Sequence, residues 1–141
     1  MIIPVEKEHE NIWAEMCIEL WQDLTVDSVL RMFHEGMFKN QFLYYKDGNP
    51  AAFLSLSLRS DYVEGTNTSP VGYIEGLYVK PRYRRKGIAE ELIEHAKKWS
   101  EKYGCTELAS DCNLENTGSQ AFHKNAGFTE ANKIVCYTMQ I

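Results

Sequence analysis

A strand that turns directly into a helix is the feature that most constrains the fold of this chain. Residues 73–79 are rich in β-branched and aromatic side chains, and Pro81 ends the run. Apolar side chains then recur at helical spacing over residues 88–99, and Gly104 follows at a position typical of a helix C-terminus. This order predicts that the strand at 105–110 returns parallel to the first one through a right-handed crossover.

The remaining segments complete a mixed order of strands and helices. Asp47 and Gly48 separate two β-rich runs, which predicts a hairpin with a tight turn. The second arm of that hairpin, residues 51–58, alternates in polarity and is expected to be half buried. We predict an α+β (mixed α/β) fold with this order: a strand at 1–5, a helix from Glu8, a helix from Thr25 or Asp27, the hairpin, the strand at 73–79, the helix from 88, the strand at 105–110, a helix within 116–127 and a strand at 134–141.

Composition and charge limit the class of protein. The 141-residue chain is 44% hydrophobic, which suits a single domain spanning residues 1–141. Its net charge of -5 argues against partners such as nucleic acid or an anionic membrane and is compatible with a cationic small molecule. The acidic N-terminal segment does not resemble a signal peptide, so we expect a cytoplasmic protein. The cysteines and histidines show no metal-ligand spacing, so we expect no metal.

A basic turn lies between the strand at 73–79 and its helix. Arg84, Arg85 and Lys86 precede Gly87 in an otherwise acidic protein. The start of a helix exposes backbone N–H groups and partial positive charge, so the amides of residues 85–90 could cradle phosphate oxygens. A solvated basic turn with an incidental glycine is the alternative, and this short pattern alone leaves both open.

Two motifs frame the C-terminal half of the chain. Arg84, Gly87 and Ala89 follow an apolar strand, and Asn116 precedes a helix that is closed by the Gly-Phe pair at 127–128. This arrangement resembles the GNAT superfamily of acyl-coenzyme A transferases. The resemblance implies a mostly antiparallel mixed sheet with one parallel, splayed strand pair and flanking helices, and acetyl-CoA as cosubstrate. The implied coenzyme contacts are Leu77, Tyr78, Val79, Arg84, Arg85, Lys86, Gly87, Ile88, Ala89, Glu90, Asn116 and His123.

Three longer segments, residues 61–79, 105–111 and 115–128, are similar to the aminoglycoside 6'-N-acetyltransferases of the small bacterial type. That similarity implies transfer of an acetyl group from acetyl-CoA to the 6'-amino group of an aminoglycoside antibiotic, which confers resistance. A transferase for a polyamine, another small amine or a protein N-terminus is the alternative with the same chemistry. A non-catalytic sensor that binds acyl-CoA is the alternative from another class.

Glu75 and Asp111 are the candidate proton acceptors for the attacking amine. Such an amine is mostly ammonium at neutral pH, and a carboxylate can take its proton directly or through water. Glu75 is expected on the strand face of Leu77 and Val79, and Asp111 ends the neighbouring strand, so both can lie where the strands part. The pair could equally hold a cationic amine without catalysis, and each residue could instead be a salt-bridged strand residue or a turn cap.

The other catalytic requirements are an oxyanion donor and an acid. The family resemblance assigns the first to the main chain from Leu77 to Val79, which also pairs with the pantetheine arm. Many family members place a tyrosine four residues before the Gly of the final Gly-Phe, where it protonates the departing sulfur. In this chain the position is His123. His123 or water could be the acid, but we favour a packing role because a lone helical histidine is commonly structural.

Three further residues are predicted to line the acceptor site. Tyr62 and Glu64 in the long polar connection, and Trp21 after the first helix, resemble positions that line the aminoglycoside pocket. Aromatic faces attract cations, and acidic side chains pair with ammonium groups. Trp21 also continues the apolar stripe of Trp13 and Cys17, so a place in the core is the alternative.

The last segment, residues 133–141, is long and apolar for the edge of a sheet. An exposed edge strand of this kind offers unpaired backbone groups to another chain. We therefore expect this strand to pair with a second subunit in a homodimer.

Overall fold

The computed structural model describes all 141 residues. Its architecture is one mixed sheet covered by helices. The five strands lie side by side in chain order, and only the last pair is parallel. This confirms the predicted parallel pair. The strands are β1 (Ile2–Pro4), β2 (Asn40–Lys46), β3 (Asn49–Arg59), β4 (Val71–Val79) and β5 (Leu108–Ser110).

Four α-helices accompany the sheet. They are α1 (Glu10–Leu20), α2 (Val26–His34), α3 (Ile88–Lys102) and α4 (Thr117–Asn125), with short 3₁₀ turns at Lys7–His9 and Pro81–Tyr83. None of these helices has the length and apolar character needed to cross a bilayer. The predicted order of strands and helices is therefore correct as far as α4.

Local sequence signals explain where several elements begin and end. The β2–β3 turn uses Asp47 and Gly48 with φ angles of 50° and 78°, as a tight hairpin turn requires. Thr25 caps α2, because its hydroxyl accepts a hydrogen bond from the Ser28 amide at 3.1 Å. Gly104, with φ at 82°, follows the end of α3 in the left-handed conformation that glycine tolerates.

Each face of the sheet has its own core. On one face α3 packs on β3 and β4, with Leu54, Ile74 and Leu92 at the centre. On the other face α1 and α2 bury Trp13 and Phe53 in a second cluster. β3 is therefore covered on both sides, so the expectation that it would be half buried is wrong, because helices cover both faces rather than one.

The predicted strand at 134–141 is not formed within the chain. No residue after α4 belongs to a strand, and the segment's apolar side chains are exposed, Val135 by 74% and Tyr137 by 89%. Alternating polarity gives a segment the ability to form a strand, but a strand also needs a partner edge for its backbone hydrogen bonds. Within the single chain, this segment pairs with none of the sheet's edges.

Candidate active site

The parallel strands part soon after they meet. β4 and β5 are paired only over three residue pairs, from Gly72–Leu108 to Ile74–Ser110. From Glu75 to Val79, β4 pairs with β3 alone, so its other edge leaves backbone N–H and C=O groups without a strand partner. Unpaired backbone groups on a strand edge can bind an extended ligand arm as an added strand would. The predicted main-chain contacts at Leu77–Val79 lie on this open stretch.

A β-bulge lies at Glu75. Ser55 of β3 faces Gly76, and the next residue Leu56 faces Ile74, so Glu75 is the extra residue in β4. A bulge interrupts the alternation of side chains, and bulges are frequent beside functional sites. The side chain of Glu75 consequently joins the β3 face that carries Ser57.

The bulge overturns the predicted face of Glu75. Ile74, Leu77 and Val79 pack with the α3 core, whereas Gly76 and Tyr78 face the α1 side. Glu75 was expected to share a face with Leu77 and Val79, and that expectation is wrong. Strict alternation fails here because β4 holds one more residue than the matching stretch of β3.

Trp21 lies over Gly76 at the C-terminal end of α1. A Cβ atom at Gly76 would lie only 2.6 Å from Cζ2 of Trp21. The indole also stacks on Phe38 with ring centroids 5.4 Å apart and contacts Phe53 at 5.6 Å. Trp21 is half-buried, so it belongs to the rim of the core and also lines the cavity beside Glu75.

Glu75 is held by two side chains of β3. Ser57 donates a hydrogen bond to Oε1 of Glu75 at 2.6 Å. Arg59 donates to the same oxygen from Nε at 3.0 Å and from Nη2 at 2.8 Å, and Nη2 also reaches Oε2 at 2.9 Å. Forked arginine–carboxylate contacts of this kind fix the carboxylate in direction as well as in charge.

The same arginine connects Glu75 with Asp111. The Arg59 guanidinium lies 3.4 Å from the centroid of the Tyr73 ring, which is cation–π distance. The Tyr73 hydroxyl donates a hydrogen bond to Oδ2 of Asp111, directly after β5. Burial, and then this hydrogen bond, raise the pKa of Tyr73, so the phenol remains protonated as a donor. Both predicted carboxylates therefore belong to one cluster, which is joined by hydrogen bonds and by the cation–π contact of Arg59 with Tyr73.

The start of α3 offers four backbone donors. Gly87 is the N-cap in the left-handed conformation, with φ at 82°, and no side chain caps the helix. The amides of Gly87, Ile88, Ala89 and Glu90 have no partner inside the helix, as at any helix N-terminus. A Cβ at Gly87 would meet nothing within 4 Å, so the space beside this glycine is open. This arrangement suits an anionic ligand such as a pyrophosphate.

The basic residues of the turn have different environments. Arg84 donates from Nε to the carbonyl of Val79 at 2.8 Å, so it ties the end of β4 to the turn. Arg85 and Lys86 are exposed next to the cradle, and Arg85 has a positive φ of 60°.

Tyr78, one of the predicted coenzyme contacts, points toward α1 and donates a hydrogen bond to Glu19. Burial and then this hydrogen bond raise the pKa of Tyr78 to about 12.

His123 and Asn116 stabilise α4. Nδ1 of His123 donates to the Ser119 carbonyl at 2.7 Å, since a carbonyl can only accept, and Nε2 lies 2.9 Å from the Ser110 hydroxyl. The ring also packs edge-on against Phe128. Asn116 accepts from the Ser119 amide at 3.1 Å and so caps the helix. These contacts favour the packing interpretation of His123.

Two cavities meet at the carboxylate cluster. The first, of about 1050 Å³, is lined by Trp21 and Glu75 among others. The second, of about 570 Å³, is lined by Tyr62, Glu64 and Asp111. The predicted acceptor residues are therefore divided between neighbouring cavities, and the Glu75–Arg59 ion pair joins the two. Tyr62 donates to Glu64 at 3.1 Å, so these two residues form a pair at the second cavity.

Sequence reasoning missed three members of the cluster: Ser57, Arg59 and Tyr73. Ser55, Ser57 and Arg59 alternate along β3, so they share one face of that strand. Polar side chains on one face of an otherwise apolar strand are a signal for a site. That signal was available in the sequence.

A comparison with known protein families shows which family the chain belongs to. Residues 7–128 match the model of the acetyltransferase (GNAT) family. The chain belongs to the GNAT family. The splayed β4–β5 pair and the glycine cradle at α3 are the places where the family resemblance put its coenzyme, and the predicted GNAT fold is confirmed.

Individual GNAT relatives resemble the chain over nearly its whole length. An aminoglycoside N(6')-acetyltransferase type 1 from Acinetobacter haemolyticus is 40% identical, covering 99% of this chain and 98% of the relative. A second, from Acinetobacter baumannii, is 35% identical with the same coverage. The resemblance to this group is therefore confirmed.

Solved structures of GNAT relatives resemble this chain over its whole length. The crystal structure of the 6'-N-acetyltransferase AAC(6')-IG from Acinetobacter haemolyticus superimposes with a TM-score of 0.94 and 39% identity, covering 100% of this chain and 99% of that one. AAC(6')-Iy, solved with a bisubstrate analog of CoA and acetylneamine, superimposes with a TM-score of 0.92 and 33% identity, covering 100% and 98%.

Gly76→Ala tests the close contact between Trp21 and β4. The added methyl group has no room beside the indole, so we expect a loss of about 1–3 kcal/mol in the free energy of unfolding, measured by urea denaturation. Trp21 fluorescence should change as well. Gly118→Ala in α4 is the matched control, since its Cβ would meet nothing closer than 3.8 Å. Equal stability of both variants would contradict this packing.

Proposed function

We propose that this protein transfers the acetyl group of acetyl-CoA to the 6'-amino group of aminoglycosides and thereby confers resistance. The observation that carries the proposal is the acidic cluster of Glu75 and Asp111 beside the open edge of β4. A polycationic amine is attracted to such a cluster, and the thioester of an extended coenzyme can reach it along the strand. The similarity to 6'-N-acetyltransferases over 99% of the chain supports the choice of acceptor.

The α3 cradle would hold the coenzyme's pyrophosphate. Its four amides have no partner inside the helix, the space beside Gly87 is open, and Arg85 and Lys86 provide positive charge at the rim. The open edge of β4 at Leu77–Val79 would pair with the pantetheine arm. Acetyl-CoA supplies an electrophilic thioester carbonyl, and a main-chain N–H of this edge supplies the preorganised donor for the developing oxyanion. No metal takes part in this scheme.

The two carboxylates have unequal freedom to accept a proton. Glu75 already accepts hydrogen bonds from Ser57 and Arg59, three of them at Oε1. Asp111 accepts one hydrogen bond, from Tyr73 at Oδ2. We therefore assign proton acceptance to Asp111 and orientation of the substrate ammonium to Glu75. A proton must leave the ammonium before the amine can attack, which makes this division of roles chemically sufficient.

The substrate's other ammonium groups would be held by the surrounding acidic and aromatic side chains. Glu64 and Tyr62 form a hydrogen-bonded pair at the second cavity, and Trp21 forms a wall of the first. His123 is assigned to packing, because both of its ring nitrogens already contact protein groups. The coenzyme's sulfur would take its proton from water.

An acetyl-transfer assay tests the proposed function. Thiol release from acetyl-CoA should occur with kanamycin and not with spermidine. Asp111→Asn should lower kcat by roughly 10²–10⁴-fold, the usual contribution of a general base, with little change in the KM for acetyl-CoA. Glu75→Gln should raise the KM for kanamycin. Turnover of spermidine alone would support a polyamine transferase, and coenzyme binding without turnover of any amine would support a sensor.

We also propose a homodimer in which the C-terminal segment pairs with a second copy. Residues 129–141 form no strand within the chain and expose Ile134, Val135, Tyr137 and Met139. β5 has β4 on one side only, so its outer edge is available. Exposed apolar segments and free sheet edges both favour association. We place this dimer in the cytoplasm, where acetyl-CoA is available and where the four free cysteines remain reduced.

Sedimentation velocity over a range of concentrations tests the dimer. The native chain should sediment as a dimer at micromolar concentrations. Tyr137→Asp should shift it to a monomer, since burying an unpaired charge in the interface is costly. Tyr103→Asp, at an exposed tyrosine after α3, is the control and should remain dimeric. A native chain that is monomeric at every concentration would exclude the proposal.

A further inference from the structure

Arg59 is a cation inside a cluster that is otherwise built to attract cations. It lies at the end of β3, and its side chain is 41% exposed. The N–H groups of the guanidinium donate to Glu75, and the guanidinium lies over the ring of Tyr73. The Tyr73 hydroxyl in turn donates to Asp111. Both acceptor-site carboxylates are therefore linked to the same arginine.

The contacts of Arg59 leave Glu75 one direction for a further donor. Oε1 receives Ser57 and two nitrogens of Arg59, which fills its acceptor capacity. Oε2 receives only Nη2 of Arg59, at 2.9 Å. An acceptor ammonium would therefore meet Oε2, on the side away from Ser57. Without the fork, only the Ser57 hydrogen bond would restrain the rotation of the carboxylate about its terminal bond.

The charge of Arg59 also matters for acceptor affinity. Two carboxylates and one guanidinium carry a formal charge of -1, whereas the carboxylates alone would carry -2. A polycationic acceptor thus experiences weaker attraction than the carboxylates could provide, because Arg59 already neutralises part of their charge. Arg59 therefore lowers the affinity for the acceptor while it fixes the orientation of the Glu75 carboxylate.

We propose that Arg59 is a positioning and charge-limiting residue of the acceptor site. It fixes the Glu75 carboxylate so that Oε2 alone receives the amine, and it limits the net negative charge presented to polycationic acceptors. The proposal rests on the proposed acetyl transfer to aminoglycosides. It concerns only how the site orients the acceptor and tunes its charge.

Steady-state kinetics with kanamycin at low and high salt test this role. Arg59→Met should lower kcat by roughly tenfold to a hundredfold, the cost of a misplaced substrate. The KM for kanamycin should not rise, and its dependence on salt should become steeper, because the site has lost one positive charge. The KM for acetyl-CoA should be unchanged. Arg31→Met, at an exposed arginine of α2, is the matched control and should behave as the wild type.

Two further variants separate charge from geometry. Arg59→Lys keeps the charge but not the fork, so kcat should fall while the salt dependence stays that of the wild type. Ser57→Ala removes one donor to Oε1 and should lower kcat by a smaller factor, also without a change in salt dependence. If Arg59→Met does not fold, these two variants still test whether Arg59 positions the Glu75 carboxylate.

An unchanged kcat in both Arg59 variants would overturn the proposal. A KM for kanamycin that rises in Arg59→Met with unaltered salt dependence would overturn the charge-limiting role. A wild-type protein that does not acetylate kanamycin would instead refute the proposed function, so the two failures are distinguishable.

Discussion

The backbone pairing between β4 and β5 stops after three residue pairs, and the open edge of β4 beside Glu75 exists because of this early parting. Backbone groups that leave a sheet must find new partners. Between Glu75 and Val79, one edge of β4 has no strand partner within the chain, while the other edge remains fixed to β3. The sheet thereby presents a rigid line of donors and acceptors to an extended ligand. Such an edge is preorganised, because its geometry is already set by the pairing on the other side.

The bulge at Glu75 adds the acidic side chain at the point of parting. One extra residue in β4 places Glu75 on the face of Ser57 and leaves the position beneath Trp21 to a glycine. A glycine is required there because the indole lies too close for any Cβ. The ring of Trp21 and the carboxylate of Glu75 therefore border the same cavity. One local irregularity accounts for both features.

Much of this arrangement could be predicted from the sequence, and the exceptions have physical causes. The β4–α3 turn follows from local signals, since Pro81, Gly87 and an amphipathic helix lie within one short stretch. The bulge could not be found in the same way, because it arises from the register between two strands and leaves no mark in either one. The C-terminal segment has the pattern of a strand, but the edge that completes a strand is not specified by its own residues. Arg59 was missed because it is the last residue of β3, at the border of a long polar connection.

In the proposed mechanism, the open edge of β4 and the start of α3 bind acetyl-CoA through main-chain groups. Amide hydrogen exchange, measured residue by residue by NMR with and without coenzyme A, tests it most directly. Binding of the coenzyme should slow exchange at Leu77 and Val79, whose amides face the open edge, and at Gly87–Glu90, with little change in the buried strand β2. Exchange at these amides that is the same with and without saturating coenzyme A would contradict it.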